Sequence, residues 1–60
     1  MGKHEWIKRC ADYYEAAGMK PRSLAIEHAR ITYDVQVDAN GDDIDDPATA
    51  AREEMSYWEC

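Results

Sequence analysis

Several acidic and amide side chains in the second half of the sequence have the types and spacing of calcium ligands. Asp38, Asn40 and Asp42 fill positions 1, 3 and 5 of the D-x-N-x-D pattern that begins a calcium-binding loop. The later positions do not fit, because Asp43 stands where the loop needs glycine and Thr49 where it needs a bidentate carboxylate. A calcium-binding acidic-loop module stays as an alternative, and the sequence favours a loop that caps the following helix.

The remaining reactive side chains indicate neither a metal site nor a catalytic centre. His4, His28 and Cys10 show no ligand spacing such as C-x-x-C or H-x₃-H, so we expect no metal and no other cofactor. No motif that joins a nucleophile to a base surrounds the serines and threonines. A chain of 60 residues also has little volume for a substrate pocket, so we expect a protein without enzymatic activity.

The distribution of charge indicates a protein partner with a basic surface. Residues 1–30 carry six basic and four acidic side chains, whereas residues 31–60 carry one basic and nine acidic ones, which gives a net charge of −6. This balance argues against direct binding to nucleic acid. No apolar run resembles a signal peptide or a membrane span, so a cytoplasmic protein is expected. Charge asymmetry suggests an electrostatic partner surface, although a solvated acidic face that aids solubility is equally compatible.

The residues expected to bind this partner are carboxylates and one tyrosine. Carboxylates spaced like backbone phosphates can compete with nucleic acid for a basic groove through charge complementarity. Tyrosine is a frequent interface anchor, and Tyr57 is expected to lie off the inner face of its helix. The predicted partner-binding residues are Asp42, Asp43, Glu53, Glu54, Tyr57 and Glu59. Asp45 and Asp46 are explained mostly as the cap of the third helix.

Three helices are predicted to position these residues. Residues 4–17 have an amphipathic pattern, and Gly18 follows them as a left-handed stop. Pro21 suits the first position of a second helix, with Ser23 as a competing cap. Asp46 and Pro47 suit the cap and first position of a third helix. Its inner face is expected to hold Ala48, Ala51, Met55 and Trp58, with Trp58 closing the core.

Residues 22–37 are compatible with either a helix or a strand. The alternation of Ile31, Tyr33, Val35 and Val37 with polar residues is typical of a strand. A lone strand has no partner in this chain, so a helix is favoured. Residues 38–46 are predicted to form a loop, because Asn40-Gly41 marks a turn and clustered aspartates disfavour a helix interior.

The predicted fold is therefore all-α, a helical hairpin followed by a short C-terminal helix in one domain. A helix over residues 22–37 is apolar on two sides, and a second subunit is the expected cover for the side that helix three leaves open, so a homodimer is expected. The core candidates are Trp6, Ile7, Cys10, Tyr13, Tyr14, Leu24, Ile26, Ile31, Tyr33, Val35, Val37, Met55, Tyr57 and Trp58.

The order of short motifs along the chain resembles that of small acidic proteins encoded by bacteriophages and prophages. These motifs are Glu5-Trp6-Ile7, Ala16-Ala17-Gly18-Met19, Asp46-Pro47-Ala48 and the run from Glu53 to Trp58. Members with known roles often bind and disable host machinery, including CRISPR–Cas complexes, transcription factors and polymerase. The resemblance implies an inhibitor of a host macromolecular complex in the bacterial cytoplasm, and it assigns no role to any residue. The alternatives are the calcium-binding acidic-loop module and a structural helical protein with no ligand.

Overall fold

A computed structural model of the protein describes residues 2–41 and 43–58, and these ranges contain three α-helices. They are α1 (Lys3–Ala16), α2 (Arg22–Asn40) and α3 (Pro47–Ser56), with no strand in the described part of the chain. The all-α prediction is confirmed. The strand alternative for residues 31–37 is wrong, because these residues lie inside α2, where a helix satisfies its own backbone groups without a partner strand.

The first helix ends as its sequence predicts. Gly18 adopts a φ of 108°, a backbone conformation that residues with a Cβ rarely take. The N–H of Met19 donates to the carbonyl of Tyr14 at 3.0 Å, and that of Gly18 donates to the carbonyl of Glu15 at 3.0 Å. This pair of bonds is the Schellman arrangement, and Met19 packs against the core beside it.

The second helix is longer than predicted. Pro21 takes the N-cap position, one residue before the position expected for it, and its carbonyl accepts the N–H of Leu24 at 3.0 Å. Asp38 to Asn40 belong to the last turn of α2, so the loop predicted over residues 38–46 begins too early. The helix continues until Gly41, whose φ of 66° ends it, and exposed Asp38 and Asn40 are tolerated there because water solvates them.

The third helix begins where it was predicted to begin. Asp46 is the N-cap and Pro47 is the first helical residue, a position at which a missing N–H has no cost. The Thr49 hydroxyl donates to Asp46 Oδ1 at 2.6 Å, and this bond holds the pKa of the Asp46 carboxyl below its usual value. A bond of 2.9 Å from Trp6 Nε1 to the carbonyl of Asp45 ties the preceding loop to α1.

The core is built mainly from α1 and from alanines on the other two helices. Its buried members are Trp6, Ile7, Cys10, Ala11 and Tyr14 on α1, Ala25 and Ala29 on α2, and Ala50 and Ala51 on α3. Ile26, Tyr33 and Met55 pack against this cluster, partly buried. The α1 helix packs against both others, whereas α2 and α3 contact each other least. Small side chains let helix axes approach closely, so the alanine face of α2 is the one that turns inward.

Five predicted core residues are exposed instead, namely Tyr13, Leu24, Ile31, Val35 and Trp58. Tyr57, a core candidate by residue type, is exposed as its expected place off the inner face of α3 predicts. Leu24, Ile31 and Val35 lie off the alanine face of α2, so these large side chains stay uncovered. The described residues form one chain, so the predicted homodimer stays a prediction.

Candidate binding groove between the second and third helices

A shallow groove runs along the line where α2 and α3 lie side by side. It is lined by Ile31, Thr32, Val35 and Gln36 of α2 and by Ala50, Glu53, Glu54 and Tyr57 of α3 and its end, and we call it the α2/α3 groove. Its volume is about 190 Å³, below the range of about 300–1,000 Å³ typical of small-molecule sites. The space therefore suits a protein side chain better than a substrate.

The α2 wall of the groove is aliphatic. Ile31 and Val35 are 60% and 59% exposed, and their spacing of four places them on one face of the helix. Leu24, seven residues before Ile31, continues the same stripe and is also exposed. Exposed large aliphatic side chains that adjoin one another along a helix are typical of a contact surface, whereas isolated ones need no explanation.

The α3 wall is acidic and ends in an aromatic ring. Glu53 and Glu54 lie three or four residues before Tyr57, so the three side chains share one end of the helix. The last turn of α3 carries no basic residue, and the helix dipole adds partial negative charge there. The Tyr57 ring is 75% exposed. The wall therefore combines negative potential with an amphipathic ring, a pairing suited to a cationic side chain.

A cluster of the Tyr14, His28 and Trp58 rings lies beside the groove residue Glu54. The His28 ring packs edge-on against Tyr14, with 4.9 Å between ring centroids, and Trp58 stacks on Tyr14 at 5.5 Å. His28 Nε2 lies 3.5 Å from a carboxylate oxygen of Glu54, and the two form an ion pair when the imidazole is protonated. Trp58 is 41% exposed, so it covers one end of the core without being buried. The side chains of Glu54 on α3 and His28 on α2 therefore face each other across the two helices.

The structure brings together three of the six residues predicted to bind a partner. Glu53, Glu54 and Tyr57 line the α2/α3 groove, and the predicted exposure of Tyr57 is confirmed. Asp43 lies between α2 and α3, four residues before the first residue of α3, and does not line the groove. Asp42 and Glu59 lie outside the described residues.

Ile31 and Val35 are the two large aliphatic groove residues that are absent from the predicted partner-binding set. The signal was present, because the second apolar side of residues 22–37 had no neighbour in the chain. The pattern predicts that this side faces a core or a second subunit, because periodicity does not identify the alanine face as the packed one. Both residues belong to the groove once Ala25 and Ala29 face the core.

Other chemistry has little geometric support in residues 2–41 and 43–58. These ranges contain no cluster of three or more His, Cys, Asp and Glu side chains that could hold a metal ion. Asp38 and Asn40 lie on α2, so the calcium-loop pattern does not begin in a loop. Burial raises the pKa of the Cys10 thiol to about 11, which keeps it protonated and unreactive at neutral pH.

No described helix has the combined length and apolarity of a membrane span. Comparison with protein-family models, curated proteins and solved structures gives no match to this chain.

Proposed function

We propose that this chain is a non-enzymatic interaction protein whose α2/α3 groove binds a basic segment of a larger protein or nucleoprotein complex. The observation that carries this proposal is the junction of two carboxylates, Glu53 and Glu54, with the exposed aliphatic face of Ile31 and Val35. An apolar surface rimmed by charge is typical of a protein interface.

The chemistry of the two walls defines the bound segment. One apolar side chain of the partner would enter the groove between Val35 and Ala50, where about 190 Å³ is open. Lysine or arginine side chains on either side of it would lie against Glu53, Glu54 and the ring of Tyr57. Charge complementarity of this kind accelerates association and selects against acidic partners.

The wider role that fits this surface is inhibition of a host complex of the kind that acidic bacteriophage proteins disable, such as a CRISPR–Cas or transcription complex. Residues 31–60 carry a net charge of −8, one basic against nine acidic side chains, so they would compete with nucleic acid for a basic groove. The protein would act in the bacterial cytoplasm and would not bind nucleic acid itself, since its net charge is −6.

Capture of partners from a bacterial lysate tests this proposal. The bait is the tagged full chain, compared with the double variant Glu53→Gln/Glu54→Gln. The matched control is Glu5→Gln/Asp12→Asn, which removes the same charge from the exposed face of α1 and breaks only exposed ion pairs of small energetic weight.

We expect the control to retain the captured partner and the groove variant to lose it, and we expect salt to release it from the wild type. Equal capture by the groove variant and the wild type would refute the role of the groove. A charge reversal of Asp43 and Asp45 that abolishes capture, while the groove variant retains it, would move the site to the loop before α3.

A further inference from the structure

A second concave surface lies between α1 and α2, on the flank of α2 that faces away from the α2/α3 groove. Its lining residues are Lys3, His4, Ile7, Lys8, Ile26 and Arg30, its volume is about 460 Å³, and we call it the cationic cavity. Nine residues separate Ile26 from Val35, about two and a half helical turns, so these side chains leave α2 in opposite directions. The two surfaces are therefore separate.

The cationic cavity gathers three basic side chains, none of which forms a salt bridge of 4 Å or less with a carboxylate of the described residues. Among the described residues, the lysines and arginines in ion pairs are Arg9 and Arg22. The chain has seven lysines and arginines, and the other five form no such pair with a described residue. Three of these five are Lys3, Lys8 and Arg30, which all line this cavity. In a protein of net charge −6, this is a concentrated site of opposite sign.

Two further features concern the positive charge of this cavity. One restricts the Lys3 side chain, and the other adds the positive end of a helix dipole. The Lys3 ammonium lies 5.4 Å from the centroid of the Tyr33 ring, a cation–π contact that restricts the side chain. The N-terminus of α1 begins at Lys3, and Gly2 supplies no side chain to cap it. The positive end of the helix dipole therefore points toward the same region as the Lys3 and His4 side chains.

The floor of the cationic cavity is apolar. Ile7 is 7% exposed, and Ile26 packs partly buried against the core, so both present methyl groups that are fixed by packing. Its volume of about 460 Å³ lies within the range of about 300–1,000 Å³ found for small-molecule sites. A ring or a short aliphatic chain of a ligand can pack against Ile7 and Ile26. An inorganic anion has no apolar group to make this contact.

We propose that the cationic cavity binds a small organic anion, one that joins a carboxylate or phosphate to an apolar body. The anionic group is held by Lys8, by Lys3 and by the Arg30 guanidinium, which can donate two parallel hydrogen bonds to it. The apolar body covers Ile7 and Ile26. This ligand site is independent of the proposed function, because no groove residue takes part in it.

Nuclear magnetic resonance titration of the full chain with phenyl phosphate tests the proposal, since this probe joins a phosphate to a ring. We expect saturable shift changes at the amides of Ile7, Ile26 and Arg30, with a dissociation constant of about 1 mM. Inorganic phosphate, which lacks the ring, is expected to bind at least about tenfold more weakly. An increase in salt from about 50 to about 500 mM is expected to weaken binding of phenyl phosphate.

Matched variants locate the site. Arg30→Gln and Lys8→Gln, both at exposed positions, are each expected to raise the dissociation constant for phenyl phosphate about fivefold or more. Lys20→Gln removes the same charge from the turn between α1 and α2, outside the cavity, and is expected to leave binding unchanged. Circular dichroism verifies that each variant keeps its helices.

Three results would overturn the proposal. The first is the absence of saturable shifts at millimolar phenyl phosphate. The second is an equal loss of affinity in Lys20→Gln and in both cavity variants, which would indicate attraction by overall charge. The third is equal affinity for inorganic phosphate and phenyl phosphate, which would show that the apolar floor plays no part.

Discussion

Removal of one buried hydroxyl, by Tyr14→Phe, is expected to destabilise the fold measurably. Tyr14 is fully buried, and its Oη lies 2.7 Å from Thr32 Oγ1. The Thr32 hydroxyl donates its one hydrogen to the carbonyl of His28 at 2.9 Å, so Tyr14 is the donor to Thr32. This chain of two hydrogen bonds joins α1 to α2 across the core.

The expected loss follows from what the substitution removes. Phenylalanine keeps the ring, so the contacts of residue 14 with His28 and Trp58 remain. The hydroxyl is lost, and Thr32 keeps its bond to His28 but loses a donor, at a cost of about 1–2 kcal/mol. For a domain of this size, each kcal/mol lowers the melting temperature by about 4–8 °C. The variant is therefore expected to melt roughly 5–15 °C below the wild type.

Thermal and urea unfolding followed by circular dichroism measure this change. Tyr13→Phe is the matched control, because Tyr13 is the neighbouring residue on α1 and is 45% exposed, and its effect is expected to stay within about 0.5 kcal/mol. A double-mutant cycle of Tyr14→Phe with Thr32→Val is expected to give a coupling energy of about 1 kcal/mol. Equal effects of the two tyrosine substitutions, or strict additivity in the cycle, would refute the reasoning.

Three further predictions concern titration and assembly. The unfolding free energy is expected to fall as pH rises from about 9 to about 11, because the Cys10 thiol ionises near its ordinary pKa when unfolded, while burial holds the folded pKa at about 11. In Cys10→Ala, the unfolding free energy measured in urea should fall less steeply with pH than in the wild type, with slopes that differ by at most about 1.4 kcal/mol per pH unit. Hydrogen bonding lowers the folded pKa of Asp46, so its contribution is present above its unfolded pKa and is lost as pH falls through the folded one. Melting curves of Asp46→Asn between about pH 5 and pH 2 should therefore depend less on pH than those of the wild type. The predicted homodimer would use the same aliphatic face of α2 as the proposed partner, so the two associations are expected to exclude each other. Without partner, sedimentation equilibrium is expected to give a dimer for the wild type and a monomer for Ile31→Asp; a wild-type monomer would contradict the dimer.

Local signals in the sequence were sufficient for the type and order of the helices. Gly18 marks the end of one helix and Asp46-Pro47 the start of another. Both signals depend only on the backbone conformation and hydrogen bonds of a few neighbouring residues. The end of α2 was less predictable. Asn40-Gly41 marks either a turn or a helix end, and the structure uses Gly41 as the end.

The packed face of α2 could not be predicted from periodicity. Large aliphatic side chains dominate a hydrophobic pattern, so Ile31 and Val35 were expected inside. The structure instead buries Ala25 and Ala29, which allow close approach of α1. The same limit applies to the candidate site. Glu53 and Glu54 could be predicted from their residue type, whereas the exposure of Ile31 and Val35 opposite them depends on which face of α2 packs against α1.

Photo-crosslinking from inside the α2/α3 groove tests the central claim most directly. A photoreactive benzoylphenylalanine replaces Val35 in the groove or Asp12 on α1, and each chain is irradiated in bacterial lysate. We expect a crosslinked partner with a basic surface from position 35, its loss in the Glu53→Gln/Glu54→Gln background, and no such product from position 12. A product that forms equally from both positions, or that persists without the two carboxylates, would contradict the account.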